Sequence, residues 1–343
     1  MDHSPIFIMS SERSGSNLLR ILLSNHSNIA GPTAPHLLLT FSGLIPYYGS
    51  LTDKKNAREL FEDIMEIVNH PYHSWELKLD FEKVYEKYRP YRFLDFVDLV
   101  YNEVTLVEKK KRYLCKENNI FEFTFQLLDY FKNPYFIYLY RDPRDYAASW
   151  LKLEVGPRTP FDAAMRWLTE QRTCDILINS FGLQVYRVKY EELITNTDKV
   201  IMGILRFLQE PVEKACFQVQ RGQNEHLTWN KYWKNLDKPI MKDNFKNYLN
   251  VFKDRQMNMI ESVTKDYMIK LGYKLDTHAD WRLTKPFNYK EAYLRKIIEI
   301  KRRLISSQTY RLLEDRKVVI EKITNRLRRD WLESTNSYGI PIE

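Results

Sequence analysis

The chain has 343 residues, of which 44% are hydrophobic, 14% aromatic and 29% charged, a make-up that excludes intrinsic disorder and leaves room for a large packed domain. Its net charge of +8 favours an anionic partner: a nucleotide, a nucleic acid, an acidic glycan or a membrane surface. Three widely spaced cysteines (Cys115, Cys174, Cys216) offer no CxxC and no Cys/His ligand spacing, which fits a reducing compartment and argues against a zinc site. No stretch approaches about 18 apolar residues, and the first residues lack a basic flank with a long apolar core. Neither a membrane span nor a signal peptide is expected, and the expected location is cytoplasmic.

Ile6–Met9 (IFIM) reads as a short buried strand. It runs into the small polar cluster Ser10-Ser11-Glu12-Arg13-Ser14-Gly15-Ser16-Asn17, and then into a helical pattern of Leu18, Leu19, Ile21, Leu22 and Leu23. Asp53–Asn69 is amphipathic with helical period. Tyr113–Lys116 (YLCK) reads as a second strand, followed by a helix through Phe123, Leu127, Leu128 and Phe131. Tyr135–Tyr140 (YFIYLY) is a third strand that stops at Arg141-Asp142-Pro143-Arg144-Asp145, where another helix begins, and Gln184–Lys189 alternates as a further strand. Strands separated by helices predict an α/β fold with a central parallel sheet, P-loop-like and flanked by helices on both faces. After Pro286 the composition shifts to Lys- and Arg-rich sequence almost free of Gly and Pro. Tyr293, Ile297, Ile300 and Leu304 share one face there, and Val319, Ile323 and Leu327 another, so one or two amphipathic helices are expected outside the main domain. The chain thus divides into a domain over residues 1–285 and a basic helical tail over 286–343.

The first strand–loop–helix carries the chemistry. Free backbone N–H groups and the positive end of a helix dipole make such a loop an anion site. Gly15 permits close backbone approach, Ser14, Ser16 and Asn17 add donors, and Arg13 adds a cationic fork suited to phosphate or sulfonate oxygens. The loop is not a Walker A motif, because Ser16-Asn17 stand where Lys and Ser/Thr would be. Taken alone, the same residues also fit a polar turn that caps a helix.

Two segments together carry a more specific signal. IFIMSSERSGSNLLRILLSNHSNI resembles the 5′-phosphosulfate-binding loop of sulfotransferases that use 3′-phosphoadenosine-5′-phosphosulfate (PAPS), and YFIYLYRDPRDYAASW resembles their 3′-phosphate-binding segment. YLCKEN resembles a short strand ending in Lys in the tyrosylprotein and bacterial branch. VYRVKYEELITNTDKVIMGILRFLQEP, NLDKPIMKDNFKNYLNVFK and KLGY resemble later family segments, so the similarity runs from about residue 5 to residue 274.

The resemblance implies that Arg13, Ser14, Gly15, Ser16 and Asn17 hold the 5′-phosphosulfate and that Arg141 and Ser149 hold the 3′-phosphate. Tyr190 would lie near the adenosine, and Lys246 or Asn247 would reach the phosphates, the register being open by one residue. Arg141 also has an alternative as an ion-pair partner of Asp142 or Asp145, and Tyr190 as a core residue ending a strand. Sulfuryl transfer needs a base for the acceptor proton and a cation at the bridging oxygen. The stretch IAGPTAPHLLL, where a tyrosylprotein sulfotransferase carries Glu, has no carboxylate but contains His36, the candidate base. Lys116 and Arg13 are the candidate cations.

The implied reaction is transfer from PAPS to a hydroxyl, or to an amine, of a small-molecule or carbohydrate acceptor, releasing adenosine 3′,5′-bisphosphate. No metal is implied, since positioning and charge stabilisation dominate such transfers. The acceptor is expected along residues 37–110 and 151–175, rich in Phe41, Tyr47, Tyr48, Trp75, Trp150 and Trp167. Three other readings compete: a P-loop nucleotide kinase or hydrolase, which would want a Walker Lys; a nucleic-acid- or membrane-binding module built on the basic tail; and a nucleotide-sugar glycosyltransferase, which would want a DxD-type metal motif that no convincing loop carries. Acidic residues interleaved in that tail favour a helix that docks on the core or pairs two copies into a homodimer. Neither a nucleic-acid partner nor a membrane span is expected.

Overall fold

The computed structural model describes residues 4–73, 75–153, 156–220, 235–280 and 308–336. Five strands lie in one sheet: β1 (Ile6–Ser10), β2 (Ile29–Ala30), β3 (Arg112–Cys115), β4 (Tyr135–Tyr140) and β5 (Val185–Lys189). They are ordered β2-β3-β1-β4-β5, and each neighbouring pair is parallel. Parallel pairing requires a crossover between strands, and the helices supply it. Helix α1 (Ser16–Ser24) follows β1. The crossover from β2 to β3 contains α2 (Leu37–Phe41), α3 (Ile45–Tyr48), α4 (Lys54–Val68), α5 (Phe81–Tyr88) and α6 (Phe93–Val107).

Side-chain alternation explains the layers. In β1, Phe7 and Met9 point to one face and join Tyr113, Cys115, Phe136 and Tyr138 in a core with α2, α4 and α6. Ile6 and Ile8 point to the other face and pack with Leu114, Ile137, Leu139 and Val188 against α1. A strand buried on both faces must be apolar at every position, which is why IFIM and YFIYLY read as continuous apolar runs. The second face is completed by α10 (Tyr190–Thr195) and α11 (Thr197–Phe207), after α7 (Thr124–Tyr130). A third cluster holds α8 (Pro143–Trp150), α9 (Pro160–Asp175) and α12 (Asp254–Lys270) together through Trp150, Trp167, Tyr248 and Ile260.

Local chemistry sets the helix starts. Asp53 caps α4 through the backbone N–H groups of Lys55 and Asn56, and Asp142 caps α8 with Pro143 in the first turn. Thr159 and Asp162 form a reciprocal capping box on α9. The second expected strand ends at Cys115, one residue before Lys116. That places Lys116 on the loop beyond the sheet edge. The two-residue β2 is too short to leave a sequence pattern.

The basic segment forms α13 (Gln308–Asn336). The sequence placed it outside the domain. In the structure it is seated on the core, with Ile323 and Leu327 buried in the cluster around α4 and Val319 packed against it. Arg326 ties it to Asp63 at 2.5 Å and Glu59 at 3.2 Å. Of the two dockings the sequence leaves open, on the core or on a second copy, the Val319, Ile323 and Leu327 face makes the contact with the core. The 285/286 boundary and the face Tyr293, Ile297, Ile300 and Leu304 lie outside the described residues. Among the described residues no helix is long and apolar enough to cross a membrane.

Candidate active site

Chain order reverses beside β1: the path goes out to β2, returns through β3, and then crosses to β4 on the other side. Such a switch point opens a crevice at the carboxyl ends of the strands. A cavity of about 590 Å³ occupies it. Its walls come from the β1–α1 loop (Glu12, Arg13, Gly15, Ser16, Asn17), from Lys116 after β3, from Arg141 after β4 and from Tyr190 after β5. His36, on the loop entering α2, lines it as well.

The β1–α1 loop is shaped by two left-handed residues, Arg13 at φ 63° and Gly15 at φ 91°. At Gly15 a side chain is excluded twice over. The backbone conformation disfavours it, and a Cβ would come within 2.4 Å of the Tyr190 ring. The ring therefore covers the loop, and only glycine admits it. Ser14 is fully buried, and its Oγ has no hydrogen-bond partner among the described residues.

Arg141 and Arg144 stand three residues apart and do different work. Arg144 is a structural hub: it bonds Asp142 at 2.7 Å, the fully buried Glu261 at 2.7 Å and Asp276 at 2.8 Å, and its guanidinium lies over Tyr248. Arg141 makes no ion pair among the described residues. Its Nη1 donates to the Arg13 carbonyl at 3.0 Å and its Nη2 to the Asn244 carbonyl at 3.3 Å. Its carbon Cζ sits 4.3 Å from the centre of the Tyr190 ring, and Nε is buried without a hydrogen-bond partner among the described residues. Arg144 takes Asp142, while Asp145 accepts from the Lys246 and Tyr248 N–H groups and feels the Arg141 charge without a direct ion pair to it among the described residues, so Arg141 still faces the cavity. Arg13 Nε donates to Ser149 Oγ at 3.3 Å, which joins the loop after β1 to α8.

Burial shapes the titrating groups. Lys116 is nearly buried and donates to Asn118 Oδ1 at 3.1 Å. Desolvation brings its pKa down to about 8, with Glu12 opposing and Arg20 and Arg13 adding to the fall. His36 adopts the left-handed conformation at φ 59°. Neither ring nitrogen has a hydrogen-bond partner among the described residues, and Nδ1 is buried. Desolvation first, then Lys116, His73 and Arg316, hold its pKa well below the usual range, so the imidazole is neutral. The carboxylate missing from its own segment arrives from elsewhere. Glu117 accepts from the Leu37 and Leu38 N–H groups at 2.7 Å each and fixes the turn that carries His36. Desolvation raises the Glu117 pKa to about 7. It is 2% exposed and does not line the cavity, so its part is to position the turn.

Of the expected site residues, Arg13, Gly15, Ser16, Asn17, His36, Lys116, Arg141 and Tyr190 line one cavity, and three do not. Ser14 is buried beneath the loop. Ser149 is reached through Arg13 and does not itself line the cavity, and the Lys246 side chain is exposed and stays off it. The Lys246 backbone N–H instead donates to Asp145 at 2.6 Å. That bond leaves Asn244 facing the cavity, where its Nδ2 donates to the Tyr190 hydroxyl at 2.8 Å. Asn244 lies in the quoted segment DNFKNYLN, but its neighbouring lysine carried the stronger charge signal. Of the six aromatics expected at the acceptor, only Trp150 lines the cavity. Phe41, Tyr48 and Trp167 are core residues, Trp75 donates to the Thr33 carbonyl at 2.8 Å, and Tyr47 packs on Trp331. The cavity is lined also by Ala34, Leu39, Thr40, Tyr72 and Leu153 together with Leu313, Arg316 and Ile320 of α13.

A model of a family described as the sulfotransferase family matches residues 5–214, more than half of the chain. The sulfotransferase domain from the curacin biosynthetic pathway is similar in fold, with a TM-score of 0.53, 20% identity, and coverage of 79% of this chain and 98% of that one. The sulfotransferase domain from the Synechococcus PCC 7002 olefin synthase aligns with a TM-score of 0.48 at 19% identity, covering 78% of this chain and 96% of that one. No curated protein sequence matches.

Proposed function

The chain belongs to the sulfotransferase family, and from that premise we propose that it moves a sulfuryl group from PAPS to a hydroxyl, releasing adenosine 3′,5′-bisphosphate. The observation that carries this reading is the convergence of Arg13, Arg141, Lys116 and His36 on one cavity at the switch point of the sheet. The residues fit a donor with two anionic ends. The buried Ser14 hydroxyl, without a partner among the described residues, the glycine cradle beneath Tyr190 and the Arg141 guanidinium, in no ion pair among those residues, are all suited to phosphate or sulfonate oxygens.

When bound, the donor supplies an activated sulfuryl group: its bond to the bridging phosphate oxygen breaks as the acceptor oxygen–sulfur bond forms. In this reading the β1–α1 loop and Arg13 hold the 5′ end, with Ser16 and Asn17 at the first turn of α1. Arg141 holds the 3′-phosphate, Ser149 keeps Arg13 in place, and Tyr190 with Asn244 walls the nucleoside. Lys116 faces the charge that grows on the bridging oxygen. His36 takes the acceptor proton at a ring nitrogen. Lys116 is among the charges that hold the His36 pKa down, and donor anions beside Lys116 oppose that repulsion and raise the basicity of the imidazole. The base therefore gains strength when the donor is in place.

Calorimetric titration with adenosine 3′,5′-bisphosphate, beside 5′-AMP and beside ATP with and without Mg²⁺, tests the reading. Binding that requires the 3′-phosphate and needs no Mg²⁺ is expected. Binding of ATP alone, and only with Mg²⁺, would replace it with a nucleotide kinase or hydrolase.

A further inference from the structure

The acceptor side of the cavity has a wall that lies beyond residue 214, where the family match ends. Helix α13 brings Leu313, Arg316 and Ile320 to the cavity. Its two central arginines contrast. Arg326 is an anchor, paired with Asp63 and Glu59. Arg316 makes no ion pair among the described residues. Its Nε donates to His73 Nε2 at 2.9 Å, and its Nη2 to the Pro35 carbonyl at 2.9 Å and to Thr40 Oγ1 at 3.0 Å. All three acceptors are neutral, and all belong to the segments that flank His36 or pack on it, since the His36 and His73 rings lie 6.0 Å apart. The three bonds fix the plane of the guanidinium, while Nη1 has no hydrogen-bond partner among the described residues.

Such a cation is costly unless something compensates it. Burial presses the Arg316 pKa down, opposed by Glu117 and Tyr72. Both Glu117 oxygens are already engaged by the Leu37 and Leu38 N–H groups. Leu39, Leu313 and Ile320 share the cavity wall with Arg316, beside the polar Thr40, His36 and Lys116. A fixed guanidinium whose Nη1 is unbonded among the described residues, in a wall that also carries Leu39, Leu313 and Ile320, matches a compact, singly charged oxyanion on an apolar body. A phosphate dianion draws on several donors, which Arg316 does not offer.

We propose that Arg316 binds a carboxylate of the acceptor, so that the acceptor class is a hydroxycarboxylic acid with an apolar body, its carboxylate at Arg316 and its hydroxyl toward His36. The acceptor role of this wall rests on the sulfuryl-transfer reading; the anion site itself does not.

The test uses the full chain saturated with adenosine 3′,5′-bisphosphate, which occupies the donor end, and measures binding of octanoate and of octanamide by calorimetry. Octanoate is expected to bind at least about tenfold more tightly than the amide, a difference of the size one charge-assisted bond supplies. Arg316→Met should bring the ratio close to one without weakening the bisphosphate, and Arg316→Lys should keep part of it. Equal binding of acid and amide, no binding of either, or a ratio that survives in R316M would overturn the proposal. Should R316M fail to fold, the wild-type ratio and R316K still decide. Failure of the bisphosphate to bind would sink the sulfuryl-transfer reading separately, and the octanoate ratio of the free protein would still be read against R316M.

Discussion

One end of the cavity, the donor end of the proposed reading, draws its groups from the carboxyl ends of β1, β3, β4 and β5, whereas the other, the acceptor end of that reading, draws on the turn before α2, the segment around Tyr72, and the distant helix α13. At the donor end each side chain stands a few residues beyond a strand whose register the sheet has fixed, so its position is set by local sequence and strand pairing together. At the acceptor end the groups meet only because helices pack. His36 is held by Glu117 some 80 residues on, and Arg316 reaches Pro35 across a separation of 281 residues. The invariant part of a reaction is suited to the first kind of construction and the variable part to the second.

Substitutions should separate the two ends. The largest effect is expected from His36→Gln, which removes the proton acceptor and keeps a similar volume. Steady-state turnover with any acceptor the wild type uses should fall about 10²–10⁴-fold, while affinity for adenosine 3′,5′-bisphosphate holds. A parallel loss of both would mean that His36 belongs to the donor end. Next comes Arg144→Met, which leaves Glu261 buried without its partner. Urea unfolding should report a loss of about 3–5 kcal/mol.

Arg141→Ala is the converse. Bisphosphate affinity should drop about a hundredfold, the worth of a pair of charge-assisted bonds, while stability changes by no more than about 1 kcal/mol because its hydrogen bonds go only to carbonyls. If R141A unfolds as readily as R144M, the division of labour between the two arginines is wrong.

The smallest effect is one of pH. Lys116, brought down to about 8 by burial with Arg20 and Arg13 behind it, is cationic below that pH and neutral above it. Bisphosphate affinity should therefore weaken as pH rises through about 8, and Lys116→Met should flatten that limb. A limb that persists in K116M would assign it to another group.

The reading of RSGS and RDPRD as two parts of one anion site required only that both follow apolar strands, and the register of β1 with β4 delivers that adjacency. The sequence left Arg141 divided between an ion pair and a ligand role, because Arg141 and Arg144 flank the same Asp142 and alternate with Asp145. Only the arrival of Glu261 and Asp276 from α12 and the segment after it decides which arginine is neutralised. Lys246 and Asn247, between which the sequence leaves the register open, are placed by tertiary structure: Asn247 donates to Asn244, and the Lys246 N–H forms a bond to Asp145. That bond fixes a backbone turn which charge counting does not register.

For α13 the limit lies in the periodicity itself. The apolar repeat Val319, Ile323, Leu327 identified the buried face, but Arg316 reads in any helical projection as one more solvated cation. Its Pro35, Thr40 and His73 partners belong to segments with no sequence relation to it.

By itself the sequence determined the parallel α/β sheet, the anion loop after its central strand and the sulfotransferase class. Alternation, helix capping and short loops are local, and they act wherever the chain goes. Only the tertiary structure decided which of several like-charged side chains keeps its charge free, which carboxylate holds His36 and which helix closes the acceptor side. Those outcomes depend on desolvation and on partners brought from far along the chain, and both exist only once the layers have packed.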